Sequence, residues 1–131
     1  MNLLTLGVET SGMTGAVALR RAGQTVVSVS LQQAGRRHAQ TLVAEVNAML
    51  RRAGISSQQI DVVAASIGPG SFTGLRVGVV FAKTLAYAIG CRLAAVDTFR
   101  AIAAASSADA SEVFVVSDAQ RGDLFVGRYA L

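Results

Sequence analysis

The sequence is poor in the residues that build disulfides, metal clips and aromatic stacking platforms. It contains one cysteine, one proline, one histidine, two tyrosines and no tryptophan among 131 residues. A single thiol, Cys91, cannot close an internal disulfide or form a CxxC metal clip. Its place between a predicted helix and an apolar strand favours a buried, inert group. A disulfide framework and a CxxC metal site are therefore both excluded.

Positive charge is in excess but is not concentrated. The net charge is +4, and much of it comes from the scattered pairs Arg20–Arg21, Arg36–Arg37 and Arg51–Arg52. A stand-alone nucleic-acid binder usually carries a dense basic stripe with stacking aromatics, which this chain lacks. We interpret the pairs as solvated surface and keep open a weak phosphate-facing role within a larger assembly.

Neither a leader peptide nor a membrane span is predicted. Met1 leads directly into a strand-like run, without the charged and apolar regions of a signal peptide. The most apolar long segment contains Arg76 and Lys83, which argue against a membrane-spanning helix. The default expectation is a reducing, cytoplasmic setting and no membrane partner.

The predicted elements begin in the order βββαβαβ, and a helix and two strands follow. The apolar share of 52% suits one compact domain. Short turns join the first three strands, which indicates an antiparallel meander. Gly54 is expected to end the first helix. The predicted strands are 2–8, 15–20, 24–31, 60–67, 93–96, 113–116 and 124–129, the last two separated by a turn at 118–122. The predicted helices are 40–53, 71–89 and 98–106, and residues 32–38 form a predicted loop.

The segment 68–78, GPGSFTGLRVG, is the most informative part of the sequence. It lies between an apolar strand and a long helix, and its proline stops the strand. Glycine opens backbone conformations closed to other residues, and a hydroxyl side chain can cap the helix. Such a turn can hold an anion or a neighbouring backbone. The candidate phosphate-contact residues in it are Gly68, Pro69, Gly70, Ser71, Thr73 and Gly74.

The helix that follows carries a ridge of small residues. Gly74, Gly78, Ala82 and Ala86 recur every four residues, so another backbone can approach this side closely. Apolar residues also occupy the other faces, and a helix that is apolar nearly all round must be covered on more than one side. Two interpretations stay open: two neighbours within one fold, or one neighbour and a second protein.

The element order resembles one lobe of the fold shared by actin, sugar kinases and Hsp70, which is ribonuclease H-like. We therefore predict an α/β fold, a mixed sheet with a β-meander flanked by helices. In that fold the first hairpin supplies an acid that helps to hold Mg²⁺ and backbone N–H groups that meet phosphates. Glu9, Thr10 and Ser11 occupy the corresponding place. The same residues also favour turns without any ligand.

Taken together, the motifs resemble the TsaB (YeaZ) family, whose hallmark agrees residue for residue with the segment 68–78. Further matching segments are Leu6–Ser11, His38–Gln40, Val96–Thr98 and Asp118–Phe125. The resemblance covers the whole chain but only the N-terminal lobe of a typical family member. We therefore expect residues 1–131 to form a single N-terminal lobe and the second lobe to be absent.

This resemblance implies a part in making N6-threonylcarbamoyladenosine, a modified base beside the anticodon of tRNA. It implies a metal-binding catalytic partner, a TsaD-like subunit, and a TsaE-like ATPase that joins the assembly. TsaB is the non-catalytic paralogue, and it self-associates as a homodimer when TsaD is missing. Contact with tRNA is then expected through the complex. We expect the chain to bind no cofactor by itself. A nucleotide is expected only at a joint interface with a partner.

The histidine content separates this chain from the catalytic paralogue. That paralogue needs an HxxxH pair, because two imidazoles one helical turn apart can hold one metal ion. His38 is the only histidine, placed in a loop or at a helix start, and Leu42 stands four residues later. We expect neither a metal site nor a catalytic residue. One residue departs from the family pattern, since Glu9 stands where many TsaB proteins have Asp.

The predicted mechanism is association between helices. The helices 40–53 and 71–89 would pack side by side on the sheet, and their outer surface would meet the equivalent pair of another molecule. The expected interface residues are Leu42, Val46, Met49, Gly74, Gly78, Val79 and Ala82. Two other functions stay open: an ATP-binding catalytic member of the same superfamily, and a tRNA-contacting module that uses the arginine pairs.

Overall fold

A five-stranded mixed sheet with two long helices forms the main body of the chain. The computed structural model describes residues 2–31, 38–106 and 109–130, and for residues 38–40 the backbone alone. The strands of the sheet are β1 (Leu4–Glu9), β2 (Gly15–Arg21), β3 (Gln24–Leu31), β4 (Val62–Ser66) and β5 (Arg92–Val96). The helices are α1 (His38–Ala53), α2 (Phe72–Ile89) and α3 (Thr98–Ala104).

The strand order is β3-β2-β1-β4-β5. Strand β1 is antiparallel to β2 and parallel to β4, so the sheet is mixed and its first three strands form the predicted meander. This architecture confirms the predicted fold class. Helix α1 begins at His38, two residues earlier than predicted, and the rest of the predicted loop, 32–37, lies outside the described residues.

The main core lies between the sheet and the inner faces of α1 and α2. Alternate residues of β1 point into it, and Leu6 is completely buried. From α1, Leu42, Val46 and Met49 expose only 1%, 3% and 0% of their surface. The expectation that Val46 and Met49 face a second molecule is therefore wrong. For Leu42, which also lines a cavity between the two helices, it stays a prediction. The i, i+4, i+7 spacing of these three residues places them on the single helix face that lies on the sheet.

Helix α2 rests on the chain's own sheet through its small ridge. Gly74, Gly78, Ala82 and Ala86 are its buried residues. The expected role of Gly74, Gly78 and Ala82 in an interface with another molecule is therefore wrong, because that side of the helix is already covered. Val79 lies half-buried at the flank of the ridge, and its role stays a prediction.

Length and composition alone would allow α2 to cross a membrane, and it is the one such helix in the described ranges. Its packing offers a different account of its apolar character. One side covers the sheet by way of the ridge, and 22% of the helix is buried. Val77, Phe81, Leu85 and Ile89 are partly buried against the main core. Phe72, Val80 and Tyr87 lie on the outer side of the helix, where they belong to the candidate site described below.

The last two strands form a separate hairpin of β6 (Glu112–Gln120) and β7 (Asp123–Ala130). Both are longer than predicted, since the turn is confined to Arg121 and Gly122 rather than spanning 118–122. One face packs on α3, where Val115 and Phe99 are buried with Tyr129 against them. The other face leaves four apolar side chains exposed: Phe114, Val116, Leu124 and Val126.

Candidate functional site

The glycine segment holds the β1–β2 turn against the start of α2. The N–H of Ser71 donates to the carbonyl oxygen of Ser11 at 2.7 Å. A Cβ atom added to Gly70 would lie only 2.5 Å from the same carbonyl oxygen. Because the two backbones approach this closely, no side chain fits between them. The segment therefore holds a neighbouring backbone, which is one of the two roles predicted for such a turn.

Thr10 packs against the first two turns of α2. Its side chain is completely buried, and its Oγ1 donates to the carbonyl oxygen of Gly74 at 2.7 Å. A Cβ on Gly74 would overlap the Thr10 carbonyl oxygen, and a Cβ on Gly78 would overlap Thr10 Oγ1. The two glycines of the ridge therefore leave the space that Thr10 fills, and Ala82 and Ala86 pack in the main core.

Local capping at the start of α2 agrees with the sequence. Ser71 is the N-cap, and its hydroxyl accepts a hydrogen bond from the N–H of Gly74 at 3.2 Å. Gly68 has φ +106°, a conformation that favours glycine, and the Gly68–Pro69 peptide bond is cis. Gly68 also exchanges two hydrogen bonds with Thr98 at the start of α3, of 3.1 and 2.9 Å. The turn therefore ties α2 to α3.

Burial decides which of the expected phosphate contacts remain accessible. Thr10 has no exposed surface and Gly74 is buried against it, so the expected phosphate contact is wrong for these two. Ser11 exposes 8%, and its N–H donates to Oε1 of Glu9 at 2.5 Å, which folds the acid back onto its own turn. A phosphate contact stays a prediction for Glu9, Ser11, Gly68, Pro69, Gly70, Ser71 and Thr73.

An apolar stripe runs along the outer side of α2. Phe72, Val80 and Tyr87 expose 74%, 61% and 92% of their surface. Arg76 lies between the first two, with its guanidinium 5.6 Å from the centroid of the Phe72 ring, a cation–π contact. Val43 of α1, which is 51% exposed, adds to the same surface. We call these five residues the α1–α2 outer face.

A shallow cavity of about 440 Å³ opens on this face between the two helices. Its lining residues are Leu42, Val43, Thr73, Arg76, Val77, Val80, Phe81 and Thr84. Most of the interface residues expected from the sequence lie instead on the inner sides of the two helices. A signal was present, however, because Phe72, Arg76 and Val80 each lie two residues from a ridge glycine, which is about 200° around the helix. Once the ridge is known to face inward, these positions must face outward.

Asp97 links the start of α3 to the hairpin. It is the N-cap of α3 and accepts a hydrogen bond from the N–H of Arg100 at 2.7 Å. It also accepts from the Tyr129 hydroxyl at 3.3 Å. Partial burial, followed by the Asp97 charge and this hydrogen bond, raises the pKa of Tyr129 above its ordinary value. Within the described ranges, no three His, Cys, Asp or Glu side chains are grouped closely enough to hold a metal ion.

Comparisons with known proteins agree on one family. Residues 28–131 match the family described as TsaD, tRNA N6-adenosine threonylcarbamoyltransferase. The tRNA threonylcarbamoyladenosine biosynthesis protein TsaB of Bacillus subtilis is 30% identical over 124 residues, which are 95% of this chain and 54% of that protein. A tRNA N6-adenosine threonylcarbamoyltransferase of Desulfovibrio desulfuricans is 34% identical over 113 residues, 76% of this chain and 31% of that protein.

Among solved structures, YeaZ from Pseudomonas aeruginosa superposes with a TM-score of 0.85 at 30% identity. The match covers 98% of this chain and 61% of that protein. The chain thus spans only about half the length of the TsaB relative and little more of the YeaZ structure.

Proposed function

The chain belongs to the family that contains TsaD and the TsaB (YeaZ) proteins, and on that premise we propose that it acts in forming N6-threonylcarbamoyladenosine in tRNA as a non-catalytic subunit. It pairs with a TsaD-like catalytic subunit through the α1–α2 outer face. In the absence of that partner, two copies associate through the same face. A TsaE-like ATPase joins the complex, which brings the tRNA to the catalytic subunit in the cytoplasm.

The exposed stripe on α2 carries this proposal. An aromatic side chain can bury about 150–250 Å², so Phe72 and Tyr87, exposed by 74% and 92%, offer roughly 300 Å² together. A standard interface takes about 800 Å² from each protein. With Val43 and Val80 added, the stripe supplies the apolar centre of such an interface. Arg76, next to Phe72, supplies a polar group at its rim.

The histidine content supports a non-catalytic role. One imidazole cannot form the HxxxH metal pair of the transferase, because both histidines are needed for the two ligands. His38 is the only histidine in the sequence, and its side chain lies outside the described residues. A nucleotide, if the complex binds one, is expected at the joint interface with the partner.

Co-purification with the TsaD-like protein of the same organism tests the proposal. The wild-type chain should elute with it as a complex whose mass is read by light scattering. Val80→Glu should weaken the complex by at least about tenfold, since it places a carboxylate, which is costly to desolvate, at the apolar centre. The matched control is Val126→Glu on the hairpin, because both valines are 61% exposed.

The control variant should bind like the wild type, and both variants should unfold at the wild-type denaturant midpoint. Equal loss of the complex in the two variants would contradict a specific α2 interface. A wild-type chain that stays monomeric alone and ignores the TsaD-like protein would overturn the proposed function as a whole.

A further inference from the structure

A second groove follows the outer edge of β3, at the C-terminal end of α1. Strand β3 is the edge strand of the sheet, and no strand of the described residues pairs with its outer side. The groove has a volume of about 520 Å³. Its lining residues are Val26, Val27, Ser28, Val29, Arg52 and Ala53. Since successive residues of a strand point to opposite faces, a surface lined by four consecutive residues is the strand edge itself.

This edge lacks several of the features that usually prevent pairing with another strand. Protected edges are short, or carry charged residues, proline or a β-bulge. Strand β3 spans eight residues, Gln24–Leu31, without a charged residue or a proline, and its pairing with β2 is irregular only at Val26. Val26 on this strand is 49% exposed. Every second residue of an edge strand directs its N–H and C=O outward, so the groove offers backbone donors and acceptors that complement an extended chain.

Arg52 gives the groove a preference for negative charge. It lies in the last turn of α1, is exposed, and forms no ion pair with any described residue. A guanidinium can bind a carboxylate through two parallel hydrogen bonds. The neighbouring Arg51 is also exposed but does not line the groove. A second copy of β3 would bring no carboxylate to Arg52, because that strand contains no acidic residue.

We propose that this groove binds an extended peptide segment that carries a carboxylate. The segment adds to the sheet as a further strand beside β3 and is held by main-chain hydrogen bonds. An apolar side chain of the segment packs on Val26, and the carboxylate pairs with Arg52. The residues involved are distinct from the α1–α2 outer face, so this inference stands without the proposed function.

A displayed library of random peptides, each about ten residues long, provides the probe. After selection on the full chain, the enriched peptides should alternate β-branched residues and contain an acidic residue. A synthetic copy of one such peptide should bind Arg52→Ala at least about tenfold more weakly than the wild type. Arg51→Ala is the matched control and should bind like the wild type. Hydrogen exchange with the peptide bound should slow at amides of β3.

Backbone pairing is tested on the peptide itself, which leaves the protein unchanged. A copy N-methylated at alternate amides should bind at least about tenfold more weakly. The inference is overturned if no peptide is enriched, if Arg52→Ala or N-methylation leaves affinity unchanged, or if protection is confined to α2. Protection of β3 that rises with protein concentration, without peptide, would identify a second copy as the occupant and also overturn it.

Discussion

Replacing Gly78 by alanine has two opposing effects on stability. It raises the helix propensity of α2, and it disturbs the packing of α2 on Thr10. Propensity alone predicts a gain of about 1 kcal/mol for an alanine inside a helix. The structure predicts a loss, because the new Cβ would lie well inside 3.0 Å of Thr10 Oγ1, a separation that real Cβ atoms essentially never show. Thr10 has no exposed surface, and turning its hydroxyl away would break its 2.7 Å bond to Gly74.

The expected change in the free energy of unfolding follows from three terms. Overpacking in a dense core costs about 1–3 kcal/mol, and a buried hydroxyl without a partner costs about 1–3 kcal/mol. After the propensity gain of about 1 kcal/mol is subtracted, we expect Gly78→Ala to lower the free energy of unfolding by about 3 kcal/mol, taking the middle of each range. Urea unfolding followed by circular dichroism measures this difference.

A double-mutant cycle with Thr10→Ala isolates the contact. Removing the hydroxyl and the methyl group makes room for the new Cβ, so the double variant should lose at least about 1 kcal/mol less than the sum of the single variants. A more stable Gly78→Ala, or strictly additive effects, would refute the packing argument. Loss of partner binding at unchanged folding stability would show instead that the ridge faces another molecule.

Three further predictions concern caps, a turn and a titration. Ser71→Ala should lower the free energy of unfolding by about 1 kcal/mol because the N–H of Gly74 loses its acceptor; an unchanged urea midpoint would contradict the capping role. Gly54 follows α1 with φ +64°, so Gly54→Ala should cost about 1 kcal/mol by the same measurement, and a neutral result would mean that the turn relaxes. The pKa of Tyr129 is raised above 10.0 chiefly by partial burial and by Asp97, so its tyrosinate absorbance should appear at lower pH in Asp97→Asn than in the wild type. The folded chain holds this proton more tightly than the unfolded chain, so the stabilisation is present below pH 10 and is lost as the pH rises through the raised pKa; identical titrations would exclude Asp97 as a cause.

The features that sequence predicted correctly depend on neighbours along the chain. Ser71 caps α2, and Gly54 takes a positive φ after α1, because each needs only the adjacent turn of backbone. The final turn was predicted too long. Strand β6 continues through Gln120, since cross-strand pairing with β7 outweighs the local turn preference of Asp118.

The sequence by itself determined the elements, their order and the family, because strand alternation, caps and the segment 68–78 are local patterns. Only the tertiary structure decided which side of α2 is inside. A helix that is apolar nearly all round has no preferred face by periodicity, and a small ridge fits a foreign helix as well as a turn of its own chain. The position of Thr10, 64 residues before Gly74 in sequence and hydrogen-bonded to it, resolved that choice. Because the glycines pack on Thr10, they face inward, and Phe72, Val80 and Tyr87 on the opposite side face water.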